Sequence, residues 1–547
     1  MKRDEPLDTL SAQALDAAWL RAALAPASPY GDRIFAELAA FRPGEEVAAS
    51  ARARRIARIA QRFTPAQLDA AREVLRNVPD AASAIARASM GDTLGDANLL
   101  ELQRFFDACE RLDALAENDA DLPRPASEAV RVCARALELG RAGRFGFYLA
   151  DGFDDGLTRA RAAFAQAQAE YDAVRGRAAA AVARALGREI TANEFIVMRA
   201  DLAGPLPAGV RVVREAPTYL LCELDADEAS LGALARRDEA ASAVAEAEEV
   251  VRARLTSSVR AHAAALDAAT RAFGECDVFI AAARFTQLHR CSVAEIVADG
   301  PFAFEAGRFV PLELELAREG RSFTAIGMHL DDVAVLTGPN MGGKSVCLRT
   351  CGFVALCAAY GVPVPAERAS VPLFDEIVWL GAGTDAEMGG LLSSFAREVV
   401  RLRELLDRGA QRRLLLVDEF ARTTTPHEGK ALLVAVNERL RERGVCGIVA
   451  THLGGIAGAT GATHLDGVAD AAGARHFAVR GLRGIPERPA TDDLHAALVT
   501  LAEQMDYTIE EVTHDGARRS DAIALAALLG LDDALTARAY DVLDGAS

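Results

Sequence analysis

The sequence predicts a multidomain protein: a helical core, a pair of long antiparallel lever helices, an α/β domain and a C-terminal helical segment. Three observations carry this. The chain has 547 residues, too many for one hydrophobic core. Its first half is rich in Ala, Arg and Leu in long helix-forming runs. From about residue 300, short continuous apolar runs alternate with helical stretches, the pattern of strands buried on both faces. The expected divisions are 1–150 for the helical core, 151–290 for the lever with a small β-rich tip, 300–505 for the α/β domain and 506–547 for the closing helices.

Within 1–150, residues 80–115 carry a helical period broken at Gly91 and Gly95. The glycine-aromatic stretch 140–156 predicts a loop or a short strand pair. Residues 157–187 and 228–273 predict two long helices, the second roughly 60–70 Å long at 1.5 Å per residue. Between them, 211–214 and 218–225 predict short strands. Two long helices flanking a β-rich tip form an antiparallel lever; the simpler alternative is a helical bundle folded on itself.

Composition limits the function. Apolar residues make up 51% and charged residues 26%, ordinary for a globular protein. No apolar run is long enough to span a bilayer, which argues against a membrane protein. The first ten residues, MKRDEPLDTL, put acids where a secretory leader has its apolar stretch, so a cytoplasmic address is expected. The nine cysteines include no CxxC pair; Cys347, Cys351 and Cys357 follow helical spacing and are expected in the core rather than on a metal. Net charge is −18, and neither 1–300 (37 basic, 45 acidic) nor the remainder (24 basic, 34 acidic) shows the basic excess usual in nucleic-acid binders. Only three lysines occur, Lys2, Lys344 and Lys430, against 58 arginines. Lys344 escapes that bias for a chemical reason: a compact ammonium fits between two phosphates better than a planar guanidinium.

The chemistry lies in the α/β half. Gly338-Pro339-Asn340-Met341-Gly342-Gly343-Lys344-Ser345 fits GxxxxGK[ST] and sits between the strand VAVLT and a helix opening at SVCL. The glycines let backbone N–H groups curl around phosphate oxygens, Lys344 neutralises phosphate charge, and the Ser345 hydroxyl ligates Mg²⁺. In LLLVDEF, Asp418 and Glu419 end an apolar strand, the edge where open α/β sheets bind ligands. Asp418 is expected to hold Mg²⁺ through water and Glu419 to activate the attacking water. His452 ends GIVATH and is expected to face the γ-phosphate. Ser393 and Ser394 precede a helix. They either cap it or present hydroxyls and a helix N-terminus to a partner subunit's γ-phosphate.

These motifs together carry a family resemblance. TGPNMGGKS, GVPVPA (361–366), the SSF…E segment, DEFARTTTPHEG and ATH follow the order and spacing of MutS-type ATPases, which resemble the ABC ATPase group. SDAIALAALLGLDDALTARA (520–539) is similar to that family's closing helical segment, and Asp277 matches the aspartate at the end of its lever helix. The resemblance covers about 320–545 closely and about 100–290 more loosely. It implies an ABC-type nucleotide domain, ATP and Mg²⁺ as cofactors, composite sites in a homodimer or a dimer with a related subunit, and Gly338–Val346 as the ATP-binding loop.

The departures are specific. Only about 330 residues precede the phosphate loop, which leaves no room for the family's mismatch-reading domain, and no Smr-like nuclease tail is expected. Phe35-Ala36-Glu37 spells the mismatch-reading triplet but sits in a helix-like, Ala-rich context. Residues 201–250, around the lever tip, hold four basic and eleven acidic side chains, where a DNA clamp would be basic. Val346 and Ser394 stand where the family has threonine, and Arg422–Gly429 replaces a glycine-rich run. These features resemble the short MutS-like subunits that reactivate adenosylcobalamin-dependent aminomutases, implying a protein client. The alternatives are a DNA-binding repair or recombination protein, or an ATPase with an unrelated partner.

Overall fold

The computed structural model describes residues 6–116, 119–142, 146–190, 194–202, 204–338, 342–381, 394–407, 412–422 and 424–453; beyond these it describes 457–458, 464–465, 468–469, 471–472, 475–482, 505–511, 523, 526 and 531–545. The elements that matter here, in chain order, begin with helices α1 (Thr9–Ala14) and α2 (Pro29–Glu37). Helix α3 (Asp155–Leu186), strands β1 (Glu194–Met198), β2 (Val210–Glu215) and β3 (Tyr219–Leu224), and helices α4 (Glu228–Ala261) and α5 (Ala263–Leu288) follow. Then come β4 (Val333–Thr337), α6 (Lys344–Ala359), β5 (Glu376–Gly381), α7 (Ser394–Asp407), β6 (Arg413–Asp418), α8 (Pro426–Glu442), β7 (Cys446–Thr451), β8 (Arg475–Leu482) and β9 (Met505–Glu511). The chain forms two compact units: one of 1–76, 119–123 and 274–547, the other of 77–118 and 124–273. No helix among the described residues is long and apolar enough to cross a membrane.

In the first unit, six strands make one sheet in the order β5-β6-β7-β4-β8-β9. All neighbours run parallel except β9, which is antiparallel to β8. The apolar runs of β4, β6 and β7 are buried on both faces, as their lack of alternation predicts. On one face Val335, Leu415, Val417 and Val449 pack with Leu402, Leu405, Leu433 and Leu440. On the other, α6 lies so close that a methyl group on Gly352 would meet Leu416 Cδ1 at 2.9 Å and Leu15 Cδ2 at 2.4 Å. Cys347, Cys351 and Cys357 are buried in α6, as their spacing predicts. Residues 506–547 do not open with a helix: Met505–Glu511 joins the sheet edge, and a helix follows at Asp533–Gly545.

The N-terminal stretch is tied into this unit at both ends. Pro6 O accepts from Ile377 N at 2.8 Å, extending the β5 edge, and Ser11 Oγ accepts from Trp379 N at 2.8 Å. Asp277, buried in α5, accepts from Ser28 N at 2.7 Å and Ala27 N at 3.0 Å, satisfying donors at the start of α2. Asp277 lies inside α5, eleven residues before its end, rather than at a helix terminus. Phe35-Ala36-Glu37 falls in α2, with the Arg21 guanidinium 5.7 Å from the centre of the Phe35 ring.

In the second unit, the break expected at Gly91 and Gly95 is present: one helix ends at Met90 with Gly91 at φ 107°, and the next begins at Asp96. Helix α3 is capped by Asp154, whose carboxylate accepts from Gly156 N at 2.7 Å, and ends at Gly187 with φ 66°. Asp227 caps α4 in the same way, accepting from Ser230 N at 2.8 Å. Ion pairs Arg161–Glu248 (2.8 Å) and Arg236–Glu170 (2.7 Å) place a later residue of α3 against an earlier one of α4, so α3 and α4 run antiparallel. Between them β1, β3 and β2 form an antiparallel sheet that packs Phe195, Val197, Leu220 and Cys222 against Val182. The long helix expected over 228–273 is broken at His262, which has non-helical ψ 8°; the second segment, α5, then runs on to Leu288. No proline or glycine stands at the break, so no local residue marks it.

Candidate functional site

The site forms where β4, β6 and β7 end side by side. Thr451 pairs with Thr337, and Asp418 with Ala450, so the loop after each strand emerges at the same sheet edge. Gly343 precedes α6 with φ 90°, a conformation glycine adopts without penalty. Lys344 opens the helix, 5% exposed, and its Nζ donates to Gly338 O at 3.0 Å, folding the side chain back over the loop. The same nitrogen lies 3.5 Å from Glu419 Oε1.

Ser345 Oγ donates to Asp418 Oδ2 at 2.7 Å. The other carboxylate oxygen, Asp418 Oδ1, is buried without a hydrogen-bond partner among the described residues. Burial pushes the Asp418 carboxyl above its usual range; the Ser345 hydroxyl pulls it down, Glu419 pushes it up, and Lys344 and Arg349 pull it down. An orphaned carboxylate oxygen beside a serine hydroxyl fits a hard divalent cation that completes its shell with phosphate and water. Among the described residues no cluster of three or more acidic, His or Cys side chains forms a closed metal cage.

Glu419 follows Asp418 with φ 54° and Ala421 has φ 62°. Glu419 Oε1 stands 3.8 Å from His452 Nδ1, and Oε2 3.9 Å from Arg422. Lys344, Ser345, Asp418, Glu419 and His452, singled out from separate motifs, therefore meet at one sheet edge. Arg422–Gly429, which stands in place of a glycine run, initiates α8: Thr425 is its N-cap, Pro426 its first residue, and Thr425 Oγ1 bonds Glu428 Oε2 at 2.8 Å. Val346 is half-buried in α6, its carbonyl accepting from Thr350 Oγ1 at 2.8 Å. Gly342 is buried beside Gly343. Pro339, Asn340, Met341 and Ser393 lie outside the described residues, as does the side chain of Ser394, the first residue of α7.

Several neighbours of the loop carry no motif of their own. Tyr507 on β9 comes so close that a methyl group on Gly343 would meet its Cδ1 at 3.2 Å. Burial raises the Tyr507 phenol above its ordinary value, against the pull of Arg321. A methyl group on Gly338 would meet Val479 Cβ at 3.0 Å, and His476 Nε2 lies 2.7 Å from Thr337 Oγ1. These contacts span more than 130 residues of sequence, and nothing local to Tyr507, Val479 or His476 signals them. Glu398 on α7 belongs to the SSF…E segment, and its Oε2 accepts from Ala421 N at 3.1 Å, a contact its position in that segment does not foretell.

Residues 334–545 match the family described as MutS domain V. The chain is 30% identical over 470 residues to the DNA mismatch repair protein MutS of Nitrobacter hamburgensis, covering 77% of this chain and 49% of that protein. It is 30% identical over 426 residues to the DNA mismatch repair protein MutS of Rhodopseudomonas palustris, covering 71% and 46%. It is 32% identical over 186 residues to Endonuclease MutS2 of Clostridium botulinum, covering 32% and 22%. The chain thus spans about half the length of the two MutS relatives. Motif order, the domain V match and the extended likeness through the helical half agree: the chain is MutS-like, and its residues 334–545 carry the match to MutS domain V.

Proposed function

We propose that this protein binds Mg²⁺·ATP at the β4/β6/β7 edge, hydrolyses it, and uses the cycle to remodel a protein partner. One observation carries the ATPase reading: a buried lysine, a serine hydroxyl, an aspartate with an orphaned oxygen, a glutamate and a histidine converge where a phosphate loop opens a helix. Backbone N–H groups at the start of α6 and the Lys344 ammonium bind the β- and γ-phosphates. Ser345 and Asp418 would hold the Mg²⁺, which would supply charge neutralisation for the phosphates. Glu419 orients a water and accepts its proton, and His452 contacts the γ-phosphate side. Ser393 and Ser394, at the head of α7, complete the site of a second subunit, either a second copy or a related chain. ATP binding closes that dimer, and the long helices α3 and α4 act as the moving arm.

The charge around β1–β3 favours a protein client over DNA. Residues 201–250 hold four basic and eleven acidic side chains. Two cations of the tip already have carboxylate partners: Arg211 pairs with Glu223, and Arg199 with Glu215 at 2.8 Å. Binding to phosphate backbones depends on an excess of cations, the reverse of this balance. The client class this reading favours is an adenosylcobalamin-dependent aminomutase, with this chain as its cytoplasmic reactivase. The second reading, an ATP-dependent binder of mismatched or branched DNA, is supported by the names of the relatives.

Phosphate release by the purified chain tests the first claim. It should require Mg²⁺, disappear in Lys344→Ala, and rise more steeply than linearly with protein concentration if sites are completed in pairs. Turnover without Mg²⁺, or undiminished in Lys344→Ala, rejects the site; full specific activity at the lowest concentrations rejects the paired mechanism. A titration with mismatched and branched duplexes across salt concentrations separates the clients. Tight binding with a steep salt slope selects DNA; no binding at low salt selects protein.

A further inference from the structure

We propose that Glu398 is a positioning residue for ATP hydrolysis, holding the backbone turn that aims Glu419. This rests on the reading of Glu419 as the water-activating base.

Among the described residues, five non-glycine positions have positive φ, and two of them, Glu419 and Ala421, lie within three residues of each other. L-residues enter this region only when their surroundings hold them there. Three hydrogen bonds do so, one of them within the turn, where Thr424 N donates to Ala421 O at 3.2 Å. Glu419 N donates to Ala450 O at 3.0 Å, continuing the ladder to β7. Ala421 N donates to Glu398 Oε2 at 3.1 Å, a side chain 23 residues earlier on α7. Helix α7 grips the turn a second time: Phe395 packs on the buried Phe420 ring with centroids 6.3 Å apart. The helix is itself fixed one turn later, where Arg401 pairs with Asp8 at 2.6 Å.

The consequence is directional. With Ala421 held at φ 62°, Glu419 points its carboxylate at Lys344 Nζ and His452 Nδ1, 3.5 and 3.8 Å away. Without the Glu398 oxygen, the Ala421 N–H loses its acceptor and the left-handed turn loses one of its restraints, so relaxation there rotates the residue two positions before it. Burial also pushes the Glu398 carboxyl above its ordinary value, opposed by the Ala421 N–H and by Arg422. Helix α7 begins at Ser394, where a partner subunit's phosphate would dock, so the same contact links that event to Glu419.

The test uses the full chain and compares steady-state turnover with nucleotide affinity. Glu398→Ala should lower kcat by about tenfold or more through misplacement of the base, with nucleotide Kd changed by less than about twofold. Glu398→Gln keeps an oxygen that accepts from Ala421 N and should stay within about threefold of wild type. Adding Ala421→Gly to Glu398→Ala should recover most of kcat, because glycine adopts this φ unaided. A normal kcat in Glu398→Ala, or a Glu398→Gln as impaired as the alanine variant, overturns the proposal. Should Glu398→Ala fail to fold, Glu398→Gln decides: wild-type turnover supports the contact, and lost turnover overturns it. A wild-type chain without ATPase activity instead removes the proposed function, and this inference falls with it.

Discussion

Two helices of the molecule behave in opposite ways. Helix α6, behind the phosphate loop, buries thirteen of its sixteen residues. Helix α3 buries two of thirty-two, Leu157 and Val182. Helix α6 is apolar along most of its length and is held by packing, whereas the alanine-rich α3 is held by intrinsic propensity, an Asp cap, a Gly stop and ion pairs with α4. The backbone behind the proposed phosphate loop is therefore set by its surroundings and tolerates little change. The backbone of the helix pair is set locally and tolerates much.

The largest effect expected from this contrast is chemical. Glu419→Gln should lower ATP turnover by about 10² to 10⁴ while nucleotide still binds, measured by phosphate release and a fluorescent-nucleotide titration. Normal turnover would mean that the tightly fixed edge is not where hydrolysis occurs.

The next effect is on stability. Asp277→Ala leaves the N–H groups of Ala27 and Ser28 buried without an acceptor and should cost about 2–3 kcal/mol, seen as a lowered midpoint in urea. An unchanged midpoint would show that the start of α2 finds other partners.

A single substitution type sharpens the comparison further. Gly352→Ala in α6 drives a methyl group into Leu15 and Leu416, both fully buried, and should destabilise by about 1–2 kcal/mol. Gly176→Ala in α3 meets no atom within 4 Å and should stabilise by about 0.5–1 kcal/mol without altering turnover. Equal signs for the two would erase the distinction between packing-held and propensity-held helices.

The smallest effect is pH-dependent. Burial raises the Asp277 carboxyl above its ordinary value, against hydrogen bonds from Ser28 and Ala27 and the charge of Arg72. The folded state therefore binds this proton more readily than the unfolded chain. Lowering pH from neutral through the raised value towards the ordinary one stabilises the fold at this position; the penalty of the buried charge is complete above the raised value. Since Asp277→Ala lacks this group, the stability gap between it and wild type should widen on acidification across that window. A constant or narrowing gap, read from midpoints at several pH values, contradicts the assigned environment.

Much of the site is legible in the order of the residues alone. Phosphate binding demands a glycine turn, a lysine and a hydroxyl in consecutive positions, so 338–345 announces itself. Asp418-Glu419 and Thr451-His452 stand out because continuous apolar runs mark buried parallel strands, whose ends face ligands. The break at Gly91 and Gly95 is legible because a glycine acts within a few residues of itself. The bend at His262 and the strand at Met505–Glu511 are not, because neither carries a local marker strong enough to compete with its neighbours.

The sequence by itself determined which residues are the candidates for binding phosphate and which helices stand on their own propensity, since both depend on short-range geometry. Tertiary structure decided that Glu398 reaches Ala421, Asp277 caps α2 from 250 residues away, and Tyr507 presses on Gly343. Such contacts depend on how the sheet orders its strands and where a helix lies across it. The physical reason is that a hydrogen bond or packing contact acts over only a few ångströms, and folding alone brings groups so distant in sequence within that range.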